Sequence, residues 1–196
     1  MTAAEALTRL QEGNDRFLRG EARFPTLQKE VLAELAKGQQ PFATVLGCSD
    51  SRVPPELLFD AGFGQLFVIR VAGNIVSPEI FGTMQYAAVH LDTNLFVVLG
   101  HEECGAVKAA LATQTRGHRE RERIQALADM IAAGLPEPDP ALAPEARLAR
   151  AVEGNVRATM RRVLETPEGQ ARLREGKIQL VGAVVEIATG KVRFLE

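Results

Sequence analysis

The sequence predicts an α/β fold: a mainly parallel central β-sheet, about four parallel strands plus an antiparallel edge, flanked by helices and preceded by an N-terminal helical arm. Three observations carry this. Short, apolar, β-branched runs recur as "FATVLG" (42–47), "LFVIRVAG" (66–73) and "LFVVLG" (95–100), the pattern of strands buried on both faces. Helix-compatible segments such as "SPEIFGTMQYAAVHL" separate them, and that alternation implies right-handed crossovers between parallel strands. A last run, "KIQLVGAVVEI", turns at "ATG" into "KVRFLE", which reads as a terminal hairpin with Gly190 at the turn.

In chain order, Thr2 with Glu5 three residues on forms a capping box, and Leu7, Leu10, Phe17 and Leu18 follow at helical spacing, predicting a helix over 3–18. A second helix, 26–37, starts after Pro25, carries Leu27, Val31, Leu32 and Leu35 on one face and stops at Gly38. Beyond the third strand, Ile124, Leu127, Ala128 and Ile131 mark one helix face. Leu148, Val152, Val156, Met160 and Val163 mark another. The proline-rich "GLPEPDPALAP" between them (134–144) is an extended, stiff connection rather than a domain boundary, because both its flanks are helical. A single domain over 1–196 is predicted, with the helical arm over about 1–40. Those helices could grip a neighbouring subunit or fold onto their own sheet.

The chain has 196 residues, 46 % hydrophobic and 24 % charged, with net charge -2. That balance gives no reason to expect a nucleic-acid or anionic-membrane partner, because no basic excess exists to neutralise phosphates. "RGHRERER" (116–123) is mixed in sign and reads as a solvated helix start. The N-terminal stretch has acids early and no apolar core of signal-peptide length. No apolar run approaches the about 20 residues of a membrane span. A cytoplasmic location is expected, where two cysteines read as thiols rather than as a disulfide.

Two lone cysteines ordinarily mean inert packing, but their neighbours change that reading. Ligands of an open parallel sheet bind beyond the carboxyl ends of the strands, where strand order reverses. Cys48 follows the first strand in "LGCSDSR", and His101 and Cys104 follow the third in "LGHEECGAVKAA". If those strands are neighbours, the three side chains converge. Two thiolates and an imidazole suit zinc, with a fourth position left for water. His90 and His118 fall in helical segments away from strand ends and read as surface or packing residues. Asp50 can accept a hydrogen bond from the metal-bound water, and Arg52 can pair with it in bidentate fashion and keep it ionised. Other readings fail on spacing: "CSDSR" is too short for a phosphatase loop, "GFGQLF" precedes a strand instead of following one, and no "GxxxxGK" or "GxSxG" occurs.

"CSDSR", "FVIRVAGN" and "GHEECGAVKAA", in this order, resemble the β-class carbonic anhydrases, and the likeness runs from "EGNDRF" to "ATGKV". The resemblance implies one Zn2+ per chain held by Cys48, His101 and Cys104, with Asp50 and Arg52 as the dyad beside the metal-bound water. It implies a carbon dioxide pocket lined by Gln39, Phe67 and Tyr86, by Ala72 where "RNVAN" versions have valine, and by Gly105, whose N–H faces the bound anion. It further implies a homodimer or multiple of dimers, with zinc near the subunit interface. Some members close the site by moving the aspartate onto zinc and bind bicarbonate beside a tryptophan and a tyrosine. Here those positions are Val45 and Val185, and only the arginine, Arg70, remains. An open site is therefore expected.

The implied reaction is reversible hydration of carbon dioxide to bicarbonate and a proton through a zinc-bound hydroxide, with activity rising above neutral pH. His90 or buffer is the candidate proton shuttle. Two alternatives stay open: hydrolysis of CS2 or COS on the same scaffold, and a non-catalytic zinc protein.

Overall fold

The computed structural model describes residues 1–24 and 29–195. Helix α1 spans Ala3–Leu18, and its start follows the predicted capping box: Thr2 Oγ1 accepts from Glu5 N at 3.2 Å while Thr2 N donates to Glu5 Oε2 at 2.7 Å. Helix α2 covers Lys29–Leu35; Pro25 and Leu27, part of its predicted start, lie outside the described residues. Strand β1 (Ala43–Gly47), helix α3 (Pro55–Leu58), strand β2 (Leu66–Arg70), a 3-10 turn (Ala72–Asn74) and helix α4 (Pro78–His90) come next. Then follow β3 (Leu95–His101), α5 (Gly105–Arg116), α6 (Glu122–Ala132), α7 (Pro144–Leu164), α8 (Pro167–Arg174), β4 (Gln179–Val185) and β5 (Val192–Phe194).

The strands form one sheet in the order β2-β1-β3-β4-β5. The first four are parallel and β5 pairs antiparallel with β4, as the sequence predicts. The hairpin turn carries Gly190 at φ 76°, a left-handed conformation that glycine adopts without strain. Strand order reverses between β1 and β3, which opens the crevice where such sheets bind ligands.

The sheet is covered on both faces, which is why its strands read as continuous apolar runs. On one face Val45, Val97 and Leu99 pack with Leu10 of α1, Val107 of α5 and Val152 and Val156 of α7. On the other, Leu46, Ile69 and Phe96 meet Met84 and Ala87 of α4. Each fully buried aliphatic side chain contributes about 1.5–3 kcal/mol. A Cβ at Gly100 would lie 2.6 Å from Val156 Cγ2, so this glycine lets α7 sit directly on β3.

Helix α1 folds onto its own chain. Buried Asn14 donates to Leu58 O at 3.0 Å and Gly190 O at 2.9 Å, and accepts from Val192 N at 2.9 Å, tying α1 to α3 and to the terminal hairpin. Asp60, which the sequence reading passed over, anchors the chain after α1. Its side chain is wholly buried, pairs with Arg16 Nε at 2.6 Å and accepts from Arg23 N and Phe24 N at 2.8 and 2.6 Å. Burial alone would raise its pKa, but Arg16 and the two amides outweigh it, and the carboxyl ends below its ordinary value. Asp60→Ala is expected to destabilise the fold by about 3–5 kcal/mol, because Arg16 loses its partner. Because the folded-state pKa is depressed, this stabilisation is present above the unfolded value of about 3.9 and is lost as pH falls through the folded value. Urea melts of parent and variant at neutral and acidic pH measure both effects; equal acid sensitivity would count against the assignment.

Three sequence expectations need correction. Ile124 is 49 % exposed, while Gln125 turns inward, because its amide accepts from Glu120 N at 2.6 Å and donates to Asp129 Oδ1 at 2.7 Å, bracing the loop before α6. His118 lies in that loop and not in a helix, since Gly117 ends α5 at φ 62°. The mixed-charge run is thus mostly the α5–α6 loop, and α6 begins only at Glu122. Helices α3, α5 and α8 carried too little apolar periodicity to be named in advance. Among the described residues no helix is long and apolar enough to cross a membrane.

Candidate metal centre

Parallel register sets Gly47 of β1 beside Leu99 of β3, so the two strands leave the sheet at the same end. Cys48 is the first residue past β1, His101 the last of β3, and Cys104 the cap of α5. All three are buried, and their ligand atoms lie within 4.8 Å of one another.

His101 Nδ1 lies 2.7 Å from the Glu102 carbonyl oxygen. A carbonyl only accepts, so the ring proton sits on Nδ1 and Nε2 presents a lone pair. That Nε2 is buried and has no hydrogen-bond partner. A buried polar atom left unpaired is unfavourable unless something coordinates it. The donor set and its span fit Zn2+, which binds sulfur at about 2.3 Å and imidazole nitrogen at about 2.0–2.1 Å. Among the described residues no fourth cysteine, histidine or carboxylate joins the group, the ligand count of an open site rather than a closed structural one.

The sulfurs are prepared by their surroundings. The two sulfurs act on each other: the neighbouring Cys104 lowers the pKa of Cys48, and Cys48 with burial raises that of Cys104. Burial pulls the His101 imidazole down, but the Cys48 sulfur, the Glu102 carbonyl and the Asp50 carboxylate together outweigh it and leave it above its usual value. Gly73 N donates to Cys48 Sγ at 3.3 Å. Gly73 has φ 73°, and a Cβ there would lie 2.6 Å from Ile131 Cδ1, so glycine alone brings this amide to the sulfur. The turn is hung from α7, where Asn155 Nδ2 donates to Gly73 O at 2.8 Å and Thr159 Oγ1 to Asn74 O at 3.2 Å. The sequence reading missed these residues; the only available signal was two polar side chains within an otherwise apolar helix face.

Asp50 and Arg52 form the predicted pair. Arg52 Nε and a terminal nitrogen donate to Asp50 Oδ1 and Oδ2 at 2.9 and 2.7 Å, and Arg52 N donates to Oδ1 at 3.0 Å. These bonds, above all those from the guanidinium, hold the Asp50 carboxyl well below the usual carboxylate range. Asp50 Oδ2 stands 3.9 Å from His101 Nε2, beside the ligand set and outside it.

The residues expected to line the substrate pocket divide into two groups. Ala72 lies in the turn next to Gly73, and Gly105 opens α5 with nothing near its Cβ position, so both are at the metal end. Phe67 pairs with Thr44, four residues or about 13 Å before Cys48 along the strand. Tyr86 of α4 packs with Phe67 at a ring separation of 6.1 Å and is 47 % exposed. Gln39 is exposed in the segment leading into β1, again at the far end. His90 stacks on Tyr86 at 5.0 Å. Val45 and Val185 are buried core residues.

Comparison with known proteins agrees with this geometry. The family described as "Carbonic anhydrase" matches residues 43–192. Carbonic anhydrase 2 of Mycobacterium tuberculosis is 46 % identical over 108 residues, 55 % of this chain and 52 % of the relative; the match thus spans about half of that relative's length. A carbonic anhydrase of Pseudomonas aeruginosa is 32 % identical over 193 residues, covering 93 % of this chain and 86 % of the relative. The solved β-carbonic anhydrase CcaA superposes with a TM-score of 0.75 at 29 % identity, covering 97 % of this chain and 87 % of that one. With the strand order, the thiolate–imidazole–thiolate cluster and the aspartate–arginine pair in place, this chain belongs to the β-class carbonic anhydrase family.

Proposed function

We propose that the protein catalyses the reversible hydration of carbon dioxide to bicarbonate and a proton, with one zinc ion held by Cys48, His101 and Cys104. The observation that carries this reading is the orphaned His101 Nε2 facing two sulfurs, with an ionised carboxylate 3.9 Å away. Zinc, when bound, supplies the Lewis acidity that ionises water near neutral pH. Asp50, kept anionic by Arg52, is an acceptor only. It takes the hydrogen bond of the attacking water and so turns that water's lone pair toward the carbon. The Gly105 N–H, in the first turn of α5 and without an intrahelical partner, donates to an oxygen of the bicarbonate formed. A purely structural metal has no use for Asp50 and Arg52, which argues against a non-catalytic protein. Stopped-flow CO2 hydration with metal analysis, repeated with CS2 and COS, tests the activity; a fully loaded protein inactive on CO2 overturns it.

Self-association completes the pocket in this reading. Gln39, Phe67 and Tyr86 stand at the strand ends opposite the metal of their own chain, and Tyr86 lies on an exposed apolar face of α4 with Val89, 51 % exposed. A two-fold dimer through this face presents these side chains to the partner's metal, since an isologous contact exchanges the same patch in both directions. Val89→Asp is expected to shift the protein to the monomer in sedimentation and to lower activity. Mixing two inactive variants, Asp50→Ala and Tyr86→Ala, is expected to restore activity to roughly a quarter of parent, because half of random dimers then carry one intact site. No recovery on mixing would show that each chain builds its pocket alone.

A further inference from the structure

We propose that Arg70 is a positioning residue of this site, a guanidinium clamp that fixes the backbone between the first zinc ligand and the Asp50 carboxylate; this rests on the zinc hydratase reading above. Arg70 is the last residue of β2 and pairs in register with Gly47, the last residue of β1. Past that point the 48–50 segment leaves the sheet and has no strand ladder to define it. Arg70 reaches across: Nε donates to Cys48 O at 2.9 Å and a terminal nitrogen donates to Asp50 O at 2.5 Å. A guanidinium fork is planar and its donors are fixed relative to one another, so two carbonyls held by one fork are fixed relative to one another too. The clamp therefore sets the backbone across Ser49, the only residue between Cys48 and Asp50.

Asp50 is gripped from two sides, its carboxylate by Arg52 and its carbonyl by Arg70 and by Val53 N at 3.2 Å. Arg52 alone does not define where the carboxylate stands, because it belongs to the same loop and moves with it. Arg70 ties that loop to the sheet, the rigid part of the fold that also carries His101. The 3.9 Å separation of Asp50 Oδ2 from His101 Nε2 is thus set by the clamp. The carboxylate thereby stands beside the histidine donor atom but outside the Cys48–His101–Cys104 group, where it can accept a hydrogen bond from a molecule in the open position.

The test uses Arg70→Met, which keeps the length and loses the donors, and Arg70→Lys, which keeps a donor without the fork. Arg70→Met is expected to bind one metal per chain while kcat falls about 10- to 100-fold, with KM less affected. The cobalt(II)-loaded variant is expected to show altered visible absorption, since Asp50 is then free to reach the metal. Arg70→Lys is expected to recover only part of the loss, and added methylguanidinium to restore part of the activity of Arg70→Ala. Parent-like kcat and cobalt spectrum in Arg70→Met would overturn the proposal. So would a loss that follows unfolding in proportion, with an unchanged spectrum and no rescue. If the loaded parent fails to hydrate CO2, the functional reading falls, while the cobalt spectra still decide whether the clamp places Asp50.

Discussion

Asp50→Ala is expected to keep its zinc and lose about 10²- to 10⁴-fold in kcat, the range for a positioned proton-handling group. The three ligands do not depend on the carboxylate, which stands outside their cluster, so metal content should equal that of the parent. What disappears is the anionic acceptor that orients the attacking water, together with the partner of Arg52. Asp50→Asn separates these effects: the amide nearly preserves shape but carries no charge and offers a weaker acceptor. Its kcat should lie between those of alanine and parent. Metal analysis and stopped-flow hydration on the same samples give the result, and a variant that turns over CO2 like the parent would remove Asp50 from the mechanism. Loss of zinc along with activity would instead place it among the ligands.

Cys48→Ser is expected to lose metal and activity together, turnover falling to the uncatalysed background. A hydroxyl is a far poorer zinc donor than a thiolate, and its replacement leaves Gly73 N–H and the Cys104 thiol without the sulfur they address. The consequence extends to stability. A ligand bound only by the folded state stabilises it by about 4 kcal/mol when its free concentration is about 1,000 times its dissociation constant. Chelation should therefore lower the Tm of the parent, and zinc should restore it, while Cys48→Ser should melt at one temperature with or without added zinc. A zinc-dependent Tm shift that survives in Cys48→Ser would mean that the metal is held elsewhere.

The two predictions differ in what the sequence alone could support. That Cys48, Asp50 and Arg52 belong together was legible, because they lie within five positions and the Asp50–Arg52 pairing is local. The strands and the first helix were equally legible: unbroken β-branched runs and a reciprocal cap are properties of neighbouring residues, and burial on both faces only reinforces them. Helix α6 shows where this ends. Its period is plain and Ala128 and Ile131 do face inward, yet at its first turn Gln125 is buried in place of Ile124, by the demands of a loop and not by hydrophobicity.

By itself, the sequence determined the order of the strands along the chain, the antiparallel edge, the ligand types and the pairing of Asp50 with Arg52, all of which follow from patterns a few residues long. Tertiary structure alone decided that β1 and β3 lie side by side, and so that Cys48 meets His101 and Cys104. It alone turned the Gly73 amide onto a sulfur, hung that turn from Asn155 and set the Arg70 fork on Cys48 and Asp50. It also placed Phe67 and Tyr86 at the other end of the strands from the metal of their own chain. These contacts join residues 19 to 82 positions apart, and distance along the chain carries no signal of its own. They exist because a parallel sheet sends every strand out at the same end, bringing distant segments to one edge and separating the two ends of a single strand by its whole length.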